Sequence, residues 1–250
     1  MGRFSIWASA CLTAAALAAG ATVAFAADPV AHPNFDGTWQ IQRKYNLQAK
    51  TLPLDGSPIP FLPWTQAVND AGTKADAAGN IWITNDQICL VSGFLRAVKG
   101  NFPFSIVQTD KQLLLLLEED GRLLEVPIRS PEKAKHSKHP TPTWEGEPIG
   151  HWEGDTLVVD TVGFNEKTPF FPAVFHTTEL HTIQRIRLIN DGKQLEMRTT
   201  IEDPGAYIRP WDIMLVFDRH PGQKLREYRC AENNRDLPET GPSPGVWGPY

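Results

Sequence analysis

The sequence lacks most of the short signatures that mark a reaction. It has no Walker-type phosphate loop, no Gly-x-Gly-x-x-Gly dinucleotide turn, no serine elbow between a strand and a helix, and no His-Glu-x-x-His pair. Nucleotide use and serine catalysis are therefore poor readings. An excess of positive charge is also missing. Lys and Arg number 24 against 29 Asp and Glu, a net charge of −5. No phosphate-binding field follows, so nucleic acid is not an expected partner. There is no internal repeat. Beyond the N-terminus no apolar run could span a bilayer: Gln112–Glu119 falls far short of the about 20 residues a spanning helix needs. Cysteine is scarce, with three in 250 residues.

The apolar run at the start has a different character. Arg3 precedes an Ala-rich stretch from Ile6 to Phe25, which ends in Ala24-Phe25-Ala26. A basic residue, an apolar run and a small-x-small end read as a secretory signal peptide over 1–26. The run is close to the about 20 residues of a span, so an uncleaved anchor is the alternative; small residues and the cleavage pattern favour removal, and the expected location is periplasmic or secreted, with no membrane span after cleavage. Cys11 leaves with the signal, so Cys89 and Cys230 remain, an even number in an oxidising compartment. A disulfide between them is the expected state.

The rest reads as one β-barrel-like domain over 27–235 and a Pro/Gly-rich extended tail over 236–250. Phe35–Tyr45 reads as a first strand. Trp64–Gly79 has the alanine content and the Asn/Asp/Gly breaks of a short helix, the only good helix candidate. After that, apolar runs flank tight turns at Asp110-Lys111, Glu119–Gly121, Glu153-Gly154, Asn190–Lys193 and Arg219–Gln223. Such turns between apolar runs are hairpin signals. The segment Lys224–Cys230 is expected to be the last strand. Many short strands with little helix between them predict an all-β, antiparallel barrel or sandwich. Alternation assigns Trp211, Ile213, Leu215 and Phe217 to one face, and Leu195, Met197, Thr199 and Ile201 to one face of the hairpin before. Two long stretches break the rhythm: basic, Pro-rich Ser130–Glu147, and aromatic Val162–Glu179, read as a packed lid over a barrel mouth.

Four places carry candidate chemistry. The hairpin "GHWEGDTLVVDTVGF", residues 150 to 164, delivers Asp160 at a strand end among apolar neighbours. A raised pKa there would suit an acid or base; alternatively Asp160 accepts hydrogen bonds from the following loop. His176 lies three residues before Glu179, a spacing that suits a base with its orienter or two metal ligands, with His136 or His139 as a third. The plain reading is a rim histidine, and no metal or cofactor is assigned. Tyr207, Arg209 and Trp211 follow a Pro-Gly turn and suit the polar end of a ligand; alternatively Glu202 or Asp203 pairs with Arg209 to pin the turn. Lastly, Gly37-x-Trp39 on the opening strand is similar to the lipocalins. There such a tryptophan closes the barrel base against an arginine of the last strand, a role open here to Arg226 or Arg229. That resemblance implies a calycin-type barrel with a small apolar molecule inside.

The segments "PTWEGEPIGHWEGDTLVVDTVGFNEKT", "IEDPGAYIRPW" and "LREYRCAENNRD" resemble an uncharacterised family of secreted bacterial proteins, over about Ile88 to Asp236. The family's two recurring cysteines match Cys89 and Cys230, and its histidine after the aromatic loop matches His176. The chain has Cys-Leu-Val-Ser-Gly where that family has Cys-Leu-Pro-x-Gly. The resemblance implies no activity. Three functions are open on these residues. The first is a binder of a small hydrophobic or aromatic molecule, its barrel mouth lined by Trp152, Phe164, Phe170, Phe171, Tyr207 and Trp211, with Arg209 and His176 as polar anchors. The second is a cofactor-independent lyase, isomerase or hydrolase with His176 or Asp160 as base. The third is a non-catalytic envelope interaction protein.

Overall fold

The computed structural model describes residues 32–45, 53–78, 89, 93–167 and 174–230. The chain divides into two units, Met1–Ala31 and His32–Tyr250, and every described residue belongs to the second. The expected signal peptide, 1–26, and the expected tail, 236–250, lie outside the described residues. Nine strands form one sheet: β1 (Gly37–Ile41), β2 (Phe104–Gln108), β3 (Gln112–Leu117), β4 (Arg122–Pro127), β5 (Glu147–Glu153), β6 (Thr156–Val162), β7 (His181–Ile189), β8 (Gln194–Glu202) and β9 (Trp211–Arg219). Two helices accompany them, α1 (Pro63–Ala77) and α2 (Phe94–Lys99).

The order across the sheet is β4-β3-β2-β1-β9-β8-β7-β6-β5, with every neighbouring pair antiparallel. Nine alternating strands leave the two outermost, β4 and β5, pointing the same way. They meet in a parallel bridge, Ile128 with Gly150, and the Arg129 N–H donates to the Gly150 carbonyl at 2.8 Å. The sheet is thus a nearly closed, all-β, lipocalin-like barrel. The odd strand number also explains the long segment between β4 and β5. A hairpin turn cannot join parallel strands, so the chain must cross from one end of the barrel to the other. Gly150 suits this seam, because a Cβ there would lie 3.3 Å from both Val126 and Leu157 side chains.

Inward residues alternate along each strand and form the core. Trp39, Phe104, Leu113, Leu115, Leu157, Leu195, Met197, Ile201 and Phe217 are among its most buried side chains. The inward sets Trp211/Ile213/Leu215/Phe217 and Leu195/Met197/Thr199/Ile201 follow the period-two reading of the sequence. Phe104 meets Phe217 edge-on at 5.1 Å. Cys89 and Cys230 form a disulfide, Cα–Cα 5.3 Å, closing a loop of 141 residues. It ties the segment before α2 to the chain after β9.

Three expectations are corrected. Lys224–Cys230 is not a strand; β9 already pairs with β8 on one edge and β1 on the other, so no edge remains for it. Its place is held by single contacts, such as Arg226 N–H to Glu118 and Cys230 N–H to Asp120. The arginine over Trp39 is consequently neither Arg226 nor Arg229. It is Arg219, the direct cross-strand partner of Trp39, whose guanidinium lies 4.4 Å from the indole centroid. The same guanidinium donates to the Asn34 carbonyl at 3.0 Å, and the Trp39 indole N–H to the Phe35 carbonyl at 3.0 Å. Finally, Trp64–Gly79 is not the only helix. All six residues of α2 are buried, Arg96 and Lys99 included, so α2 shows no amphipathic stripe in the sequence. It lies against the inner wall, with Phe94 and Leu95 beside Leu113 and Leu124.

Candidate functional site

The barrel encloses a cavity with two unlike walls. Leu113 and Leu115 of β3 with Leu124 and Val126 of β4 make one; Val159 and Thr161 of β6 with Thr182, Gln184 and Ile186 of β7 make the other. Phe94, Leu95 and Arg96 of α2 close part of it, and Trp144, Glu145, Phe164 and His176 enter from the long connections. The free space is about 30 Å³, well below the about 300–1,000 Å³ of ordinary ligand pockets. The side chains therefore fill most of the barrel interior.

Three ionisable side chains stand in this wall: Arg96 and His176 are buried, and Glu145 is partly buried. His176 is 7% exposed, sits edge-on to Phe164 at 6.3 Å, and donates from Nδ1 to the Thr177 carbonyl at 3.0 Å. Glu145 Oε1 accepts from Arg122 at 2.6 Å, while Oε2 is buried with no protein partner among the described residues. Burial raises the Glu145 carboxyl above the usual range, more than the Arg122 charge and the Phe94 backbone N–H pull it down. Arg122 is in turn shared with Glu119 at 3.1 Å.

Asp160 faces the other way. Strand alternation puts it on the outer face of β6, and its Oδ1 accepts from His136 Nε2 at 2.7 Å and from His181 Nε2 at 2.9 Å. His181 Nδ1 faces Glu202 at 3.0 Å; His136 Nδ1 faces Glu147 at 3.3 Å. Glu147 also accepts from the Ser137 N–H at 2.6 Å and from the Ser137 hydroxyl. Four strands, β5 to β8, and the β4–β5 segment are thus clasped by one row of alternating acids and imidazoles. Both His181 nitrogens face carboxylates, and both can donate only when the ring is protonated. The Asp160 bond accordingly raises the His181 pKa, against partial burial.

The raised pKa expected of Asp160 is corrected. Partial burial pushes its carboxyl up, but the bonds and charges of His181 and His136 outweigh that, so it titrates below the usual range. Its partners come from across the sheet rather than from the loop that follows it. Among the described residues no group of three or more His, Cys, Asp and Glu is arranged to hold a metal ion. No described helix is long and apolar enough to cross a membrane.

The other candidates do not gather at one mouth. Glu179 is exposed on a turn, its N–H bonded to Thr177 Oγ1 at 3.1 Å. Trp152 stacks on His32 at 4.4 Å and packs near Phe35 at 5.4 Å, outside the cavity wall. Tyr207 is buried, donates its hydroxyl to the Phe175 carbonyl at 2.6 Å, and meets Trp211 edge-on. Arg209 is exposed, with Ser57 at 3.0 Å and Asp55 at 3.5 Å. The alternative pairing of Arg209 with Glu202 or Asp203 is corrected too. Glu202 belongs to His181, and Asp203 accepts from Thr177 N–H and hydroxyl and from Gly205 N–H. Phe170 and Phe171 lie outside the described residues. Of the named candidates, Phe164 and His176 are those that line the cavity. Glu145, Arg96 and Trp144 were not anticipated.

No protein-family model matches this chain. No curated protein matches its sequence either.

Proposed function

We propose that this is an exported protein that binds a small, mainly apolar molecule inside its barrel. One observation carries the reading. The inner surface is not filled by apolar side chains alone; it leaves a cavity into which His176, Glu145, Thr161, Thr182 and Gln184 also face. An apolar cavity with a few convergent polar groups is the usual form of a ligand site. Export rests on the signal-like N-terminus and on the Cys89–Cys230 disulfide, which an oxidising compartment maintains.

Binding in this reading requires opening, because the free space is small. The wall that moves is the segment 130–146, which brings Trp144 and Glu145 to the cavity. It is held to the next loop by two backbone bonds, Thr143 N–H to Gly163 and Asn165 N–H to Thr143, and to the sheet by the His136–Asp160 contact. The test is native mass spectrometry of the protein isolated from the cell envelope fraction. A bound small molecule, released on denaturation, is the expected result; a bare chain that also takes up no apolar probe overturns the reading.

A second reading has one observation behind it. His176 is a buried imidazole in the cavity wall, positioned by the Thr177 carbonyl, as a general base would be. Turnover of a bound compound that is lost in His176→Ala, with binding retained, would establish it. Asp160, on the outer face, would have no part in that chemistry.

A further inference from the structure

The cavity has a polar wall whose polarity nothing among the described residues explains. Thr161 stands opposite Thr182 across β6 and β7, and Gln184 stands opposite Thr199 across β7 and β8. All four point inward, and they are 4%, 1%, 5% and 0% exposed. Buried polar side chains are normally satisfied. Among the described residues the Gln184 amide donates only to the Met197 sulfur, at 3.3 Å, a weak acceptor. Thr199 Oγ1 is buried without a partner. Among the described residues the Thr161 and Thr182 hydroxyls have no hydrogen bond either. Valine at the three threonine positions would have the same shape and no polar atom to desolvate. Thr161, Thr182 and Gln184 all line the cavity, with Leu113, Leu124 and Val126 across from them.

We infer that the ligand is an amphiphile with a neutral hydrogen-bonding edge, such as a phenol, an alcohol or an amide on an apolar body. Its edge lies on Thr161, Thr182 and Gln184, and its apolar body lies on the β3–β4 leucines and Val126. Hydroxyls and a primary amide both donate and accept, so they match a neutral group of either kind. The polar row itself carries no formal charge. The charged side chains of the wall have partners of their own: Glu145 is engaged with Arg122, and the buried Arg96 is not free either. This inference rests on the cavity being a ligand site.

The test compares phenol with toluene, which share a ring and differ in the hydroxyl. Both are titrated into wild type, Thr161→Val/Thr182→Val and Thr182→Ser, and each variant's urea stability is measured. The expected result is that phenol binds the double valine variant about three- to tenfold more weakly per hydroxyl removed. Toluene affinity is unchanged or higher. Thr182→Ser, which keeps the hydroxyl, retains the preference for phenol. The double valine variant is at least as stable as wild type, because among the described residues neither hydroxyl has a hydrogen bond to lose. Two results overturn the inference while leaving the cavity reading intact: phenol and toluene affinities that move together, or a valine variant that is clearly less stable, showing the hydroxyls to be structural. Saturable binding of neither compound to wild type overturns both.

Discussion

Replacing Asp160 by Asn should flatten the pH dependence of stability on the alkaline side. In the folded protein Asp160 accepts two imidazole hydrogen bonds, at 2.7 and 2.9 Å. Buried charge-assisted bonds contribute about 1.5–3 kcal/mol each. Asp160 is 36% exposed and His181 29%, so screening moves the pair toward the about 0.2–1 kcal/mol of exposed ion pairs. A total of about 1–2 kcal/mol for the clasp is reasonable between these limits. His181 has a raised pKa, so its share is fully present below its ordinary value of 6.5 and is lost as pH rises through the folded value. Asp160 has a lowered pKa, so its share is present above 3.8 and is lost as pH falls through the folded value. The clasp is therefore strongest between those two ordinary values. Urea unfolding at pH 5.5 and pH 9 would show it, with the midpoint moving by about 0.5 M for a slope of about 2–3 kcal/mol/M. Wild type should lose stability across that interval beyond the loss in Asp160→Asn, and the variant should be weaker at pH 5.5. Parallel pH profiles for the two proteins would refute the assignment, as would equal stability at pH 5.5.

Other perturbations test the frame around the cavity. Cys89→Ser/Cys230→Ser should lower stability by roughly 4–5 kcal/mol, the closure entropy of so long a loop, read from denaturant midpoints without reductant. Arg219→Met should cost about 1–3 kcal/mol through the lost cation–π contact and the Asn34 bond; thermal unfolding would show it, and Arg219→Lys should rescue little because it loses the planar stack. Gly163→Ala should cost about 1–3 kcal/mol: φ is +71° and a Cβ would lie 2.8 Å from Pro140. A protease cutting within 130–146 should find that variant more accessible than wild type. Leu124→Ala should destabilise by about 2–5 kcal/mol yet bind toluene more tightly, since it enlarges the apolar wall; calorimetry checks the second half.

The barrel was legible because each strand alternates apolar and polar residues and each hairpin carries its turn residues. Asn190, Asp191 and Gly192 all adopt positive φ, as that turn's composition implies. Alternation also placed the inward residues of β8 and β9. What it could not supply was closure. Nothing local in Lys224–Cys230 shows that β1 already occupies the edge of β9, and so the arginine over Trp39 was sought too late in the chain. The site was less legible for a related reason. His136, Asp160 and His181 lie far apart in sequence and meet only when β6, β7 and the β4–β5 segment are assembled. Two features of the sequence do bear on the interior and its closure. In "HTIQRIRLI", Thr182 and Gln184 share the inward set with Ile186, so a polar pair was already marked for the interior. The length of the segment between β4 and β5 was also a sign of a parallel closing pair.

The claim on which the rest depends is that small apolar molecules enter the barrel interior. Methyl NMR of protein labelled at Leu, Val and Ile, titrated with toluene, tests it directly. The account predicts saturable shifts at Leu113, Leu115, Leu124, Val126, Val159 and Ile186, with none at the outward-facing Val107 and Leu123. Shifts confined to outward methyls, or no saturable shift at any methyl, would contradict it.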